Sequence, residues 1–196
     1  MNASPEPQAW TLRRRPFLAP LWLGALAFVL LLVAAVVLYQ SATTTVIVIV
    51  RAGEAVQGGI ADPPLAPEGE ERAQRLAHLF GGASGAPLGT AGRLTAIYSL
   101  PERRATQTVE PLAALLRLPL NVTAAQPPEE LATRVLREQR GHVALLVGDA
   151  AVVRQWLAAL GIEAHGVARP RDDEYGRIDV ISIPTLGSER LLQLQY

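Results

Sequence analysis

Three short segments of the sequence place polar or charged side chains directly after apolar runs. A carboxylate such as that of Glu54 can accept a proton, and one such as that of Asp149 can act as a nucleophile. If the apolar runs are parallel strands, the segments lie at their carboxyl ends, where sheets of this kind bind ligands. The three segments are residues 51–54, 99–104 and 148–151, and we call them the candidate site.

The composition excludes several kinds of chemistry. The 196 residues contain no cysteine and no lysine, so thiolate nucleophiles, thiolate metal sites and Schiff-base chemistry are all absent. The 18 basic residues balance the 18 acidic ones, whereas a nucleic-acid-binding domain usually carries a basic excess. We therefore expect no nucleic-acid partner. We also expect no cofactor and no metal, since no clear cluster of acidic metal ligands is visible.

Strand and helix signals alternate along most of the chain. Apolar runs without polar alternation, such as 45–50 and 142–147, are typical of strands buried on both faces. The predicted strands are 45–50, 94–98, 119–123, 142–147, 177–183 and 190–195, and the predicted helices are 68–80, 101–116, 128–140 and 150–160. This order predicts a three-layer α/β/α fold with a mostly parallel sheet, in which the last two strands form an edge hairpin.

The beginning of the chain predicts a membrane anchor. Residues 17–39 carry no charge, and as a helix they would span roughly 35 Å, enough to cross a hydrocarbon core of about 30 Å. Arg13, Arg14 and Arg15 precede this block, so the positive-inside rule places the N-terminus in the cytoplasm. The expected order is a cytoplasmic tail (1–16), one transmembrane helix of the plasma or inner membrane (17–39), a linker (40–44) and an extracytoplasmic domain (45–196), which would be periplasmic in a Gram-negative bacterium.

A cleavable signal peptide is the alternative interpretation of the same block. Its hydrophobic region would normally be shorter, about 7–15 residues, and would end at small residues. The best cleavage candidate here, Gln40-Ser41-Ala42, begins with glutamine where a small residue is usual. We therefore favour an uncleaved anchor.

Motifs in the predicted domain resemble those of the histidine phosphatase superfamily, which includes the phosphoglycerate mutases. The run Arg51-Ala52-Gly53-Glu54 is similar to the Arg-His-Gly-Glu signature of the family. The segments that carry the resemblance are 46–54, 62–69, 97–111, 145–149 and 173–177, in the family's order and spacing. The resemblance covers about residues 45–196. It implies a phosphoglycerate mutase-like fold in which Arg51 and Arg104 bind phosphate.

Two positions depart from the family pattern. In the family, the histidine that follows the first arginine is the nucleophile, and this chain has Ala52 there, whose methyl group cannot attack phosphorus. A second family histidine contacts the transferring phosphoryl group, and this chain has Asp149 there. Two like charges 4 Å apart repel by about 4 kcal/mol at an effective dielectric constant of 20. We therefore expect Asp149 to pair with Arg51, Arg104 or both and to leave a neutral pocket.

Few other residues could replace the missing histidines. His78 and His142 are expected to be structural or solvated, and His165 to lie in a solvated loop. Glu54 could still accept a proton, although a role as a cap for backbone N–H groups or as a partner of Arg51 is favoured. Asp149 could act as a carboxylate nucleophile, but enzymes of that type generally use magnesium.

Three functions remain open from the sequence. The first, which we favour, is an inactive membrane-anchored pseudophosphatase that binds or scaffolds a protein partner or an anionic, phosphorylated ligand. The second is an extracytoplasmic phosphomonoester hydrolase that uses Arg51, Arg104, Glu54 and Asp149. The third is a structural membrane protein whose helix pairs with another. Turnover would separate the second from the other two.

Overall fold

The computed structural model describes residues 19–59, 61–82, 92–123, 126–162, 174–185 and 187–196. The helices in these ranges are α1 (Ala19–Thr43), α2 (Pro67–Gly81), α3 (Arg103–Leu116), α4 (Pro128–Glu138) and α5 (Ala150–Ala159). The strands are β1 (Thr45–Arg51), β2 (Leu94–Ser99), β3 (Leu120–Val122), β4 (Val143–Gly148), β5 (Arg177–Ile183) and β6 (Arg190–Gln195).

Helix α1 contains residues 19–39 of the predicted membrane-spanning block, and the first two residues of the block lie outside the described part of the chain. Its segment Leu21–Tyr39 has a mean hydropathy of 2.9, and none of it is buried. The segment is long and apolar enough to cross a membrane, and a signal sequence would share these properties. The helix continues to Thr43, so the segment 40–44, which the sequence predicts to be a linker, is mostly helical. The predicted tail, 1–16, lies outside the described residues.

The six strands form one sheet in the order β3-β2-β4-β1-β5-β6. Strands β1, β2, β3 and β4 pair in parallel, whereas β5 runs antiparallel to β1 and β6 antiparallel to β5. The predicted α/β fold with a mostly parallel sheet and a C-terminal edge hairpin is therefore confirmed.

Side chains of β1 alternate between two apolar clusters, one on each face of the sheet. Val46, Val48 and Val50 pack with residues of α2 and α3. Ile47 and Ile49 pack on the other face with residues of α4 and α5. The unbroken apolar run in the sequence is explained by this arrangement, because both faces of the central strands are covered by helices.

Strand β4 brings the three segments of the candidate site together. It lies between β1 and β2, and its last residue, Gly148, pairs in register with Arg51 of β1. On the other side, Val147 pairs with Ser99, which ends β2. A side chain at position 148 would meet the ring of Trp156, since an added Cβ would lie 2.8 Å from it. Glycine therefore allows α5 to pack tightly beside the site.

Candidate functional site

Arg51 ends β1 and is held by the segment that precedes β5. Its Nη1 atom donates a hydrogen bond to the backbone oxygen of Glu174, at 3.3 Å. Its guanidinium carbon lies 3.8 Å from the centre of the Tyr175 ring, a cation–π contact. The two contacts place the guanidinium at the carboxyl edge of the sheet, although it is only partly buried.

Ala52 and Gly53 are buried in the turn that follows β1. Ala52 is 2% exposed, and its backbone N–H donates to the oxygen of Gly148 at 2.8 Å. The N–H of Gly53 donates to the hydroxyl of Thr108 at 2.9 Å. That hydroxyl in turn donates to the backbone oxygen of Arg104 at 2.7 Å. Thr108 therefore couples the first segment of the site to the second.

Arg104 and Asp149 form an ion pair across the carboxyl edge. Their closest atoms, Arg104 Nη2 and Asp149 Oδ2, are 3.8 Å apart, and about a third of each side chain is exposed. Asp149 also caps α5, because its Oδ1 atom accepts a hydrogen bond from the N–H of Val152 at 2.8 Å. The expected pairing of Asp149 with one of the two arginines is thus found, and the partner is Arg104.

Glu54 pairs with Arg72 of α2, a residue that the sequence did not indicate. The guanidinium donates two hydrogen bonds to the carboxylate, at 3.0 Å from Nε and 2.5 Å from Nη2. Burial alone would raise the pKa of Glu54, but the hydrogen bond and charge of Arg72, with a smaller contribution from Arg51, hold it below its usual value. Arg72 also donates to the backbone oxygen of Tyr196, at 3.4 Å.

The lowered pKa of Glu54 gives a pH dependence to stability. Because the pKa is lower in the folded chain, the pair stabilises the fold above the usual glutamate value of 4.5 and loses its effect as the pH falls through the folded value. We expect Arg72→Met to cost about 1 kcal/mol at neutral pH. The difference in the free energy of unfolding between this variant and the parent should shrink toward zero in acid. Urea unfolding followed by circular dichroism, at neutral and at acidic pH, measures this difference.

An exposed ion pair on the same helix provides the control. Glu71 and Arg75 are 3.7 Å apart, with side chains 76% and 50% exposed. Glu71→Gln should leave stability almost unchanged at both pH values, since exposed pairs contribute little. A loss for Arg72→Met that stays constant with pH would show that its aliphatic packing, and not its charge, matters.

A second buried pair lies on β5, where Arg177 and Asp179 are 7% and 2% exposed. The guanidinium Nη2 lies 2.9 Å from Asp179 Oδ1, and Gln193 donates to the same oxygen at 3.0 Å. The Oε2 atom of Glu174 lies 3.6 Å from Nη1 of Arg177. Residues two apart on a strand share one face, so the spacing of the two charges in a buried strand is the signal that could have revealed the pair.

The remaining sequence candidates lie away from the site or outside the described residues. His78 is exposed on α2, and His142 is exposed just before β4, at the end of the strand opposite the site. His165 lies outside the described residues. Within the described part of the chain, no group of three or more histidine or acidic residues could hold a metal ion.

Comparison with known proteins identifies the family that the first half of the domain matches. A model described as "Histidine phosphatase superfamily (branch 1)" matches residues 47–125. This range includes Arg51, Ala52, Glu54 and Arg104. The resemblance predicted from the motifs is therefore confirmed over that range. No curated protein sequence matches the chain.

Solved structures of phosphatases share the fold. The protein histidine phosphatase SixA complexed with tungstate is similar with a TM-score of 0.58 at 17% identity, over 76% of this chain and 96% of that one. A putative α-ribazole-5′-P phosphatase from Escherichia coli is similar with a TM-score of 0.55 at 16% identity, over 78% of this chain and 96% of that one. A phosphoserine phosphatase mutant from Entamoeba histolytica, in complex with phosphoserine, is similar with a TM-score of 0.50 at 15% identity, over 72% of this chain and 95% of that one. At these identities the similarity establishes the fold.

Proposed function

We propose that this chain of histidine phosphatase fold is a catalytically inactive binding or scaffolding module on a membrane anchor. The observation that carries the proposal is Ala52. The family motif places a nucleophilic histidine directly after Arg51, whereas this chain has a buried methyl group there, 2% exposed. A methyl group can neither attack phosphorus nor carry a phosphoryl group.

The two carboxylates considered as replacements for the nucleophile already have partners. Glu54 is held by two hydrogen bonds from Arg72. Asp149 caps α5 through one oxygen and pairs with Arg104 through the other. Either residue would have to leave these partners before it could attack a substrate. These contacts favour binding over a hydrolase with a non-standard nucleophile.

The two arginines support an anionic group as the feature that the pocket recognises. Arginine presents several N–H donors that suit carboxylate and phosphate groups. Among the structural neighbours, the Entamoeba histolytica phosphatase that binds phosphoserine is a histidine-to-alanine mutant. Loss of a histidine is therefore compatible with ligand binding in this fold. The anion could belong to a protein partner or to a phosphorylated small molecule.

The apolar helix supports an anchor in the plasma or inner membrane. Arg13, Arg14 and Arg15 precede it, which favours a cytoplasmic N-terminus and an extracytoplasmic domain. In a Gram-negative bacterium this domain would bind its partner in the periplasm.

A turnover assay on the full chain in neutral detergent tests the proposal. With p-nitrophenyl phosphate at neutral pH, we expect no release of nitrophenol above the buffer rate. Arg104→Met serves as the control for contaminating phosphatases, because it alters the pocket of this chain alone. Saturable turnover that is lost in Arg104→Met would contradict the proposal and favour a hydrolase using Glu54 or Asp149.

Binding separates a scaffold from a purely structural membrane protein. If the chain is a scaffold, a partner should co-purify with the parent chain and should no longer co-purify with the Arg104→Met variant. Co-purification that survives this change would assign the contact to the helix or to another face of the domain.

A further inference from the structure

Asp149 lies where the two arginine-bearing segments converge. It follows Gly148, whose strand β4 pairs with β1 at Arg51 on one side. On the other side β4 pairs with β2, and the chain from β2 leads directly into the first turn of α3, which carries Arg104. A ligand oxygen that reaches Arg104 from the carboxyl edge of the sheet therefore comes close to the Asp149 carboxylate, which is 3.8 Å from the guanidinium.

The position of this carboxylate is fixed by the backbone. Its Oδ1 atom accepts the hydrogen bond from Val152 that caps α5, at 2.8 Å. Turning the side chain away from Arg104 would break this cap, which helps to stabilise the first turn of α5. The cap thus keeps the Asp149 carboxylate beside Arg104.

Among the described residues, three other carboxylates lie close to arginines other than Arg104. Glu54 is paired with Arg72, and Asp179 is paired with Arg177. Glu174 also lies near Arg177, through its carboxylate. Asp149 pairs with Arg104, so its charge acts directly on a ligand held there.

We infer that Asp149 acts as a fixed internal anion that makes the pocket select singly charged anions over doubly charged ones. Its repulsion grows in proportion to the ligand's charge, so a dianion loses twice as much binding free energy as a monoanion of the same shape. The favoured class is a carboxylate, a phosphodiester or a sulfate ester, and the disfavoured class is a phosphomonoester dianion. The inference rests on the proposed function, because it treats the pocket as a binding site.

Two inorganic ions of matched shape test this selectivity. Tungstate and perrhenate are both tetrahedral oxyanions, with two charges and one charge respectively. Calorimetric titration of the full chain in neutral detergent, at mildly alkaline pH, gives the two affinities. Asp149→Asn is the informative variant, because asparagine caps a helix as well as aspartate does but carries no charge. We expect it to raise tungstate affinity about tenfold and perrhenate affinity about threefold.

Two control variants show whether the effect belongs to the pocket. Glu129→Gln removes one negative charge from the exposed surface of α4 and should leave both affinities unchanged. Adding Arg104→Met to Asp149→Asn should abolish the gain in tungstate affinity. An equal gain for both ions in Asp149→Asn, or no gain, would overturn the inference.

The anion titrations and the turnover assay can fail separately, so their failures are distinguishable. If the parent chain hydrolyses a phosphomonoester, the proposed function fails, whatever the titrations show. If the parent is inactive and Asp149→Asn does not change the tungstate preference, this inference alone fails.

Discussion

Replacing Ala52 and Asp149 with histidine together is expected to give the chain a phosphatase turnover at least about 10²-fold above that of the parent. The fold already holds Arg51 and Arg104 at the carboxyl edge of the sheet, and Thr108 couples their two segments. A histidine at position 52 supplies the nucleophile that the family motif implies. A histidine at position 149 removes the negative charge beside Arg104 and adds a donor for the phosphoryl group.

Single variants distinguish restored chemistry from a general change in the pocket. Asp149→His alone has no nucleophile and should stay at the parent rate. Ala52→Gln together with Asp149→His has a side chain of similar length without a nucleophilic ring, and it should also be inactive. The measurement is release of p-nitrophenol, together with an acid-labile phosphoryl group on the protein. If the double histidine variant folds but neither turns over nor becomes labelled, the assignment of positions 52 and 149 is wrong.

Gly69→Val is expected to cost about 2–3 kcal/mol of folding stability, because no room exists for a side chain there. An added Cβ on Gly69 would overlap the backbone oxygen of Glu54 and lie 3.1 Å from the Leu65 side chain. Since the obstacle is backbone, α2 or the turn after β1 must move. Such a movement would also pull Glu54 from Arg72. Urea unfolding followed by circular dichroism gives the change in stability.

Gly82 provides the matched control at the end of the same helix. Its backbone has φ −62°, which any residue adopts, and an added Cβ would approach the oxygen of His78 no closer than 4.0 Å. Gly82→Val should therefore stay within about 0.5 kcal/mol of the parent. A similar loss for both variants would mean that the contact of Gly69 with Glu54 is not the cause.

The order and bounds of the elements could be predicted closely from the sequence. The run 46–50 is apolar at every position, which favours a strand in a sheet covered on both faces. Helix α3 shows where the bounds differ. The sequence predicts it from residue 101, whereas it begins at Arg103, because the backbone of Glu102 at its N-cap is extended, with φ −60° and ψ 137°. The convergence of the three segments followed from the parallel order of the strands.

The partners of the charged residues were harder to predict. Glu54 was expected to cap backbone groups or pair with Arg51, and its partner is Arg72, which is 18 residues away in the sequence. Local patterns do not report such a contact, since it depends on how close α2 packs against the turn after β1. The close approach is made possible by Gly69, one turn before Arg72 on the same helix.

The packing of Trp156 beneath Gly148 makes the domain a natural optical probe of its own pocket. Of the three tryptophans, Trp156 alone belongs to residues 45–196, and it is 0% exposed. Its indole borders the glycine that precedes Asp149. Any ligand that shifts the turn between β4 and α5 will therefore alter the environment of this one ring, and its fluorescence can report occupancy without an attached dye.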